Sequence, residues 1–248
     1  MMGYIQNYYL VGNTIEVEKV HSGRYGKRIP VSEKTKPTSE AVKRVNFRNK
    51  IKRLRRLIQN NFTEEDFHIV LTYRKENRPQ VEEAKKLLRS FHGKMKRRYE
   101  KYSEEYRWIC VTEYRTAAIH HHLVINSIEG VNMIKLLKEC WQQGHINITP
   151  LYQDIDVEGL AEYLLKETKD TERKKRYEGV SQPSGYHASR NLKPVKKITK
   201  IIRSNEWRKE PMPLKGYYID KNSIASGVSE LTGYGYQYYR MIKIKMRD

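Results

Sequence analysis

The stretch AAIHHHLVIN, residues 117–126, sets three consecutive histidines in an otherwise apolar run. The run is short and internal, which is unlike a purification tag. Its apolar neighbours suit a β-strand, where successive side chains point to opposite faces. His120 and His122 then share one face with Val124, while His121 shares the other with Ile119, Leu123 and Ile125. The histidines are therefore a pair plus one.

The flanking segments define the fold. Upstream, YRWICVTEY (106–114) is a second strand, joined to the first by a short connection. Before it, DFHIVLTYR (66–74) is a strand, ENRP a turn, and 81–101 a helix with Ala84, Leu87, Leu88 and Phe91 on its inner stripe. After the histidines, VNMIKLLKECWQQ (131–143) predicts a helix stopped by Gly144, and HINITPLY a fourth strand. Asp156 is placed to cap a helix over 157–169. The order β-α-β-β-α-β-α predicts an α+β fold, a four- to five-stranded antiparallel sheet with helices packed on it.

Outside this core, residues 1–36 read as short strand or loop. Thr38 or Ser39 is a plausible cap for a helix reaching about Asn60, with Val45, Ile51, Leu54 and Ile58 as its apolar stripe and Lys and Arg on a solvated face. Residues after Thr171 are polar, basic and broken by Gly and Pro, hence loop. The Tyr-rich closing stretch, with Tyr234, Tyr236, Tyr238 and Tyr239, reads as one or two strands. The chain accordingly divides into a basic segment 1–64 with an amphipathic helix, a core 65–172, and a basic, Tyr-rich extension 173–248.

Bulk composition narrows the partners. The 248 residues carry 49 Lys and Arg against 29 Asp and Glu, a formal charge of +20, with pI near 9.8 and mean hydropathy −0.84. Such a field attracts polyanions, and without a strongly amphipathic membrane helix it favours nucleic acid. No apolar run reaches the ~18 residues a membrane span needs, and the N-terminus lacks a signal-peptide pattern. Cys110 and Cys140 are too few for a disulfide framework, which fits a cytoplasmic protein. Residues 23–27 lack the spacing and the Ser/Thr of a phosphate loop, which argues against an ATP motor.

Chemistry enters through the pair. Imidazoles two apart on a strand can converge on one ion. Directly opposed residues of an antiparallel hairpin share a face, so Glu113 on the preceding strand can add a carboxylate. Two nitrogens and one carboxylate leave coordination positions open. The set suits a divalent metal, Mn²⁺ or Mg²⁺, and accepts Co²⁺, Ni²⁺ or Zn²⁺. Metal beside polyanion-binding charge suggests phosphodiester chemistry. Water can attack; so can a tyrosine. Tyr163 and Lys166, three apart, lie on one helical face. A free tyrosine ionises only near pH ~10, and a neighbouring cation favours its phenolate. His121, on the other face, reads as a hydrogen-bonded core histidine.

The chain resembles the HUH endonucleases, in particular the single-tyrosine replication initiators of rolling-circle plasmids and phages. HIVLTY (68–73) resembles their first motif, a mainly structural strand. HHHLVI (120–125) matches the second, with the departure that His121 fills a hydrophobic position. YLLK (163–166) matches the third. The likeness covers about residues 40–172. It implies a palm-like sheet, Tyr163 attacking single-stranded DNA at an origin hairpin, and a metal held by His120, His122 and Glu113. It also implies a 5′-phosphotyrosyl enzyme, a 3′-OH that primes synthesis, and host helicase and polymerase as partners.

Two other classes share features. Relaxases carry the histidine motif with an N-terminal tyrosine, for which Tyr4, Tyr8 and Tyr9 are candidates, and Asn126 occurs there too; single-tyrosine transposases share the motif order. A non-catalytic nucleic-acid-binding module would use the 19 tyrosines as stacking platforms. SRNLKP (189–194) is a candidate grip on the DNA strand near the site.

Overall fold

In chain order the elements are β1 (Tyr4–Val11), β2 (Thr14–His21), α1 (Glu40–Asn61), β3 (Phe67–Leu71), α2 (Val81–Glu100), β4 (Trp108–Tyr114), β5 (Ile119–Ile125), α3 (Met133–Cys140), β6 (Ile146–Pro150), α4 (Val157–Lys175), β7 (His187–Ala188), β8 (Lys196–Ile202), β9 (Tyr217–Val228) and β10 (Gly235–Lys243). The computed structural model describes residues 3–21, 40–114, 118–151, 157–175, 185–229 and 232–244. They form two units, residues 50–193 and residues 1–49 with 194–248. From β3 to α4 the order is the predicted β-α-β-β-α-β-α.

In the unit of residues 50–193, the antiparallel sheet runs β6-β3-β5-β4-β7. Its alternating residues give two distinct faces. Ile69, Leu71, Cys110, Leu123 and Ile125 enter one core with Phe91, Met95 and Tyr99 of α2 and Leu136 and Leu137 of α3. Each such side chain, fully buried, contributes roughly 1.5–3 kcal/mol. α2 places these residues at three- and four-residue spacing, and its acidic first turn and basic last turn suit the helix dipole. α4 packs against β4.

Several local expectations change. α3 ends at Cys140, not 143, and the backbone turns extended at Trp141. The indole is buried and donates from Nε1 to the Thr72 carbonyl at 3.0 Å. Gly144 is therefore not a helix stop. It lies against the Thr72 backbone, where an added Cβ would collide with the carbonyl. That close approach lets Thr72 N donate to His145 O at 3.0 Å and Arg74 N to Gln143 O at 2.9 Å. On α1, Ile51, Leu54 and Ile58 are buried as their spacing predicts, but so are Arg55 and Arg56. Arg55 Nε lies 3.9 Å from Glu158 Oε2 on α4, and Nη1 donates to Gln59 Oε1 at 3.4 Å. A neighbouring helix thus covers part of the expected solvated face. α4 continues to Lys175, past the expected break, because the added residues include good helix formers.

SRNLKP binds the protein's own chain. Ser189 N donates to Trp108 O at 2.9 Å and Trp108 N to Ser189 Oγ at 3.1 Å. Lys193 N donates to Asn61 Oδ1 at 2.6 Å, and Asn61 Nδ2 returns a bond to Lys193 O at 2.9 Å. The expected caps at Thr38, Ser39 and Asp156, and residues 23–27, lie outside the described residues.

The other unit holds a second antiparallel sheet, ordered β8-β1-β2-β10-β9. Residues read as short strand or loop form a full hairpin, and the closing stretch supplies β9 and β10. Gly12, at φ 53°, occupies the tight turn between β1 and β2. Ile15, Val17, Tyr239 and Met241 form the core of this sheet.

Two glycines test these packing statements. Gly144→Ala should lower the melting temperature by several degrees, since the clash is with backbone that cannot step aside. Gly93→Ala, inside α2 with only the flexible end of Arg97 within 3.6 Å, should stabilise by about 0.5–1 kcal/mol. Thermal melts of both variants check the pair.

Candidate active site

β4 and β5 pair so that Glu113 opposes His120 and Val111 opposes His122. The period of two brings Glu113, His120 and His122 onto one face. One ligand atom from each lies within 4.8 Å of the others. Glu113 Oε2 sits 2.8 Å from His120 Nε2 and 3.9 Å from His122 Nε2. Glu113 is only 1% exposed and His122 2%, whereas the His120 side chain is 22% exposed. A buried carboxylate is costly unless positive charge or hydrogen bonds offset it. Two imidazoles facing that carboxylate, with solvent access along His120, fit a divalent cation.

His122 is the centre of a ring cluster. The His120 ring lies 5.3 Å away at 65°. The Tyr163 ring stands edge-on to it at 5.3 Å and 83°. On the other neighbouring strand, His68 stacks on it at 5.6 Å and 10°. α4 thus delivers Tyr163 to the histidine face of the sheet, with the residue 44% exposed. Lys166, one turn along, extends into solvent and places Nζ 2.8 Å from Glu162 Oε1.

The middle histidine has a different environment. His121 is 1% exposed and faces the α2–α3 side. Its Nδ1 pairs with Thr112 Oγ1 at 2.8 Å and its Nε2 with the Tyr73 hydroxyl at 2.8 Å. Those partners come from β4 and from the end of β3, so one side chain ties three neighbouring strands. Burial pushes the His121 pKa down to about 3, aided by His92, His120 and His122, and keeps the ring neutral.

His68 is the residue that sequence reasoning underrated, as part of a strand with a mainly structural role. It opposes Val124 in the β3–β5 register, and so shares the face of His120 and His122. Burial pushes its pKa down to about 4. Alternation along β3 carries this signal, but only once the pairing of β3 with β5 is known.

Residues 66–172 match the family model of the ORF2-type replication-associated proteins, a family of rolling-circle replication initiators. The matched segment, under half of the 248 residues, contains Glu113, His120, His122, Tyr163 and Lys166. No curated protein and no solved structure matches the chain.

The three-strand tie should hold Glu113 and His120 in register. His121→Leu removes both side-chain bonds and leaves two hydroxyls behind. It should lower stability by about 2–4 kcal/mol and weaken Mn²⁺ binding about tenfold or more. Mn²⁺ titration followed by electron paramagnetic resonance, well below the variant's melting temperature, measures this. Unchanged affinity in the destabilised variant would show that the tie does not organise the site.

Proposed function

We propose that this protein nicks and rejoins single-stranded DNA at an origin, using Tyr163 as nucleophile, and so starts rolling-circle replication as an HUH endonuclease. The observation that carries this reading is the Tyr163 ring against His122, itself within the Glu113, His120 and His122 group. The match of residues 66–172 to replication-associated proteins supports it.

His120, His122 and Glu113 would hold a divalent ion, Mn²⁺ or Mg²⁺, through two nitrogens and a carboxylate oxygen. When bound, that ion supplies Lewis acidity to the scissile phosphate and offsets charge developing there. Glu113 orients His120 through the 2.8 Å contact, and the burial around His122 excludes water from one side of the site. Tyr163, exposed at its edge, is open to a DNA strand.

The phenol oxygen of Tyr163 attacks the phosphorus and forms a new O–P bond as its proton is released. The bond to the 3′ oxygen breaks, and that oxygen takes up a proton to become a free 3′-OH. The 5′-phosphate remains on Tyr163. One phosphodiester replaces another, so a 3′-OH can reverse the step without ATP. Lys166, on the exposed face of α4, can leave Glu162 to contact DNA phosphate.

The test uses 3′-labelled single-stranded oligonucleotides spanning the element's own origin, with Mn²⁺. A covalent protein–DNA band should form. Chelator or Tyr163→Phe should abolish it, and His122→Ala should reduce its rate about a hundredfold or more. A band that survives Tyr163→Phe assigns the nucleophile elsewhere. Tight DNA binding with no adduct under any divalent metal favours a non-catalytic binding module instead. Mapping the joined nucleotide separates an initiator from a transposase or relaxase, because a single nicking origin and paired element ends give different products.

A further inference from the structure

The second sheet ends in β8, whose outer side pairs with no strand among the described residues. The segment KPVKKITKIIRSN, residues 193–205, carries five basic residues and no acidic one. Lys196, Lys197 and Lys200 are exposed. Lys197 Nζ lies 5.6 Å from the Tyr9 ring centroid and Lys200 Nζ 5.5 Å from that of Tyr8. Because β8 alternates, these two pairs occupy opposite faces of the β8–β1 edge.

Charge accounting separates this edge from the other basic element, α2. There Lys85 pairs with Glu82 at 2.6 Å, Arg98 with Glu139 at 2.8 Å and Lys96 with Glu100 at 3.8 Å. Among the described residues, no carboxylate lies within ion-pair distance of Lys196, Lys197 or Lys200. An aromatic face orients an ammonium group without neutralising it. Ile198 and Ile201 are exposed beside them. Oriented, unneutralised cations with apolar and aromatic neighbours suit a strand that offers phosphates and unpaired bases together; a duplex would offer this edge only phosphates.

We propose that the β8–β1 edge is a single-stranded nucleic-acid binding surface, with Lys196, Lys197 and Lys200 on the backbone and Ile198, Ile201, Tyr8 and Tyr9 beside the bases. It rests on the DNA-processing reading for its partner, but makes no use of Tyr163 or the metal ligands. Lysines on an edge strand also deter strand addition by another chain, and this alternative predicts a different result.

The experiment compares the full chain with a Lys196→Gln, Lys197→Gln, Lys200→Gln variant, binding a fluorescent single-stranded oligonucleotide and the matching duplex without divalent ion across a salt series. Each phosphate contact on a single strand contributes about 0.7 to the slope of log affinity against log salt. The variant should have a slope shallower by about 2 and a Kd at least tenfold weaker at low salt. Replacing the same lysines by arginine should retain both. If the triple variant does not fold, Lys197→Gln and Lys200→Gln singly should each lower the slope by about 0.7. An unchanged slope overturns the assignment, whether the variant stays monomeric or aggregates as the edge-guard alternative predicts. So does a loss confined to the duplex. Adduct formation on a short saturating oligonucleotide is scored separately. An altered salt slope without any adduct leaves this surface standing and removes the nicking reading, while an adduct with an unchanged slope does the reverse.

Discussion

The candidate site depends on the register of one hairpin. Side chains alternate along a strand, so a slip of one residue between β4 and β5 would move Glu113 away from His120 and send each histidine to the other face relative to its partner strand. The observed pairing sets the carboxylate oxygen 2.8 Å from one imidazole and 3.9 Å from the next. Hydrophobic pattern helps to specify this register through Val111, Leu123 and Val124, all fully buried. It says little at the histidine end of the strand, where three identical residues follow one another.

There the polar tie of His121 becomes informative. Its two ring nitrogens meet hydroxyls from different strands, and both bonds lie where water cannot replace them at no cost. Three adjacent residues of one type thus have two environments. His120 and His122 face a carboxylate and a tyrosine, and His121 is enclosed by Tyr73, Thr112 and Trp141. The distinction arises from strand alternation, with no difference in side-chain chemistry.

The two sheets make different use of charge. Around Glu113, charge is buried and arranged at short range, so its effects are local and resistant to salt. Along β8, charge is exposed and unpaired among the described residues, and its action is long-ranged and sensitive to salt. A protein handling a polyanion gains from both: a field that raises local DNA concentration, and a small group of donors that acts on one phosphate.

The core order β-α-β-β-α-β-α, the strand that carries the histidines and the facing placement of Glu113 were legible in the chain, because apolar periodicity and strand alternation are local properties. Tyr163 and Lys166 could be placed on one helix face for the same reason. What only tertiary structure decided were contacts between distant segments. The stacking of His68 on His122 needs the β3–β5 pairing, and the burial of Arg55 and Arg56 needs a covering neighbour such as α4. Gly144 is required by the carbonyl of Thr72, far earlier in the chain, and β1 and β2 share a sheet with strands from the far end of the chain. Local sequence sets the period of an element; the partner it meets depends on packing free energy summed over the whole fold.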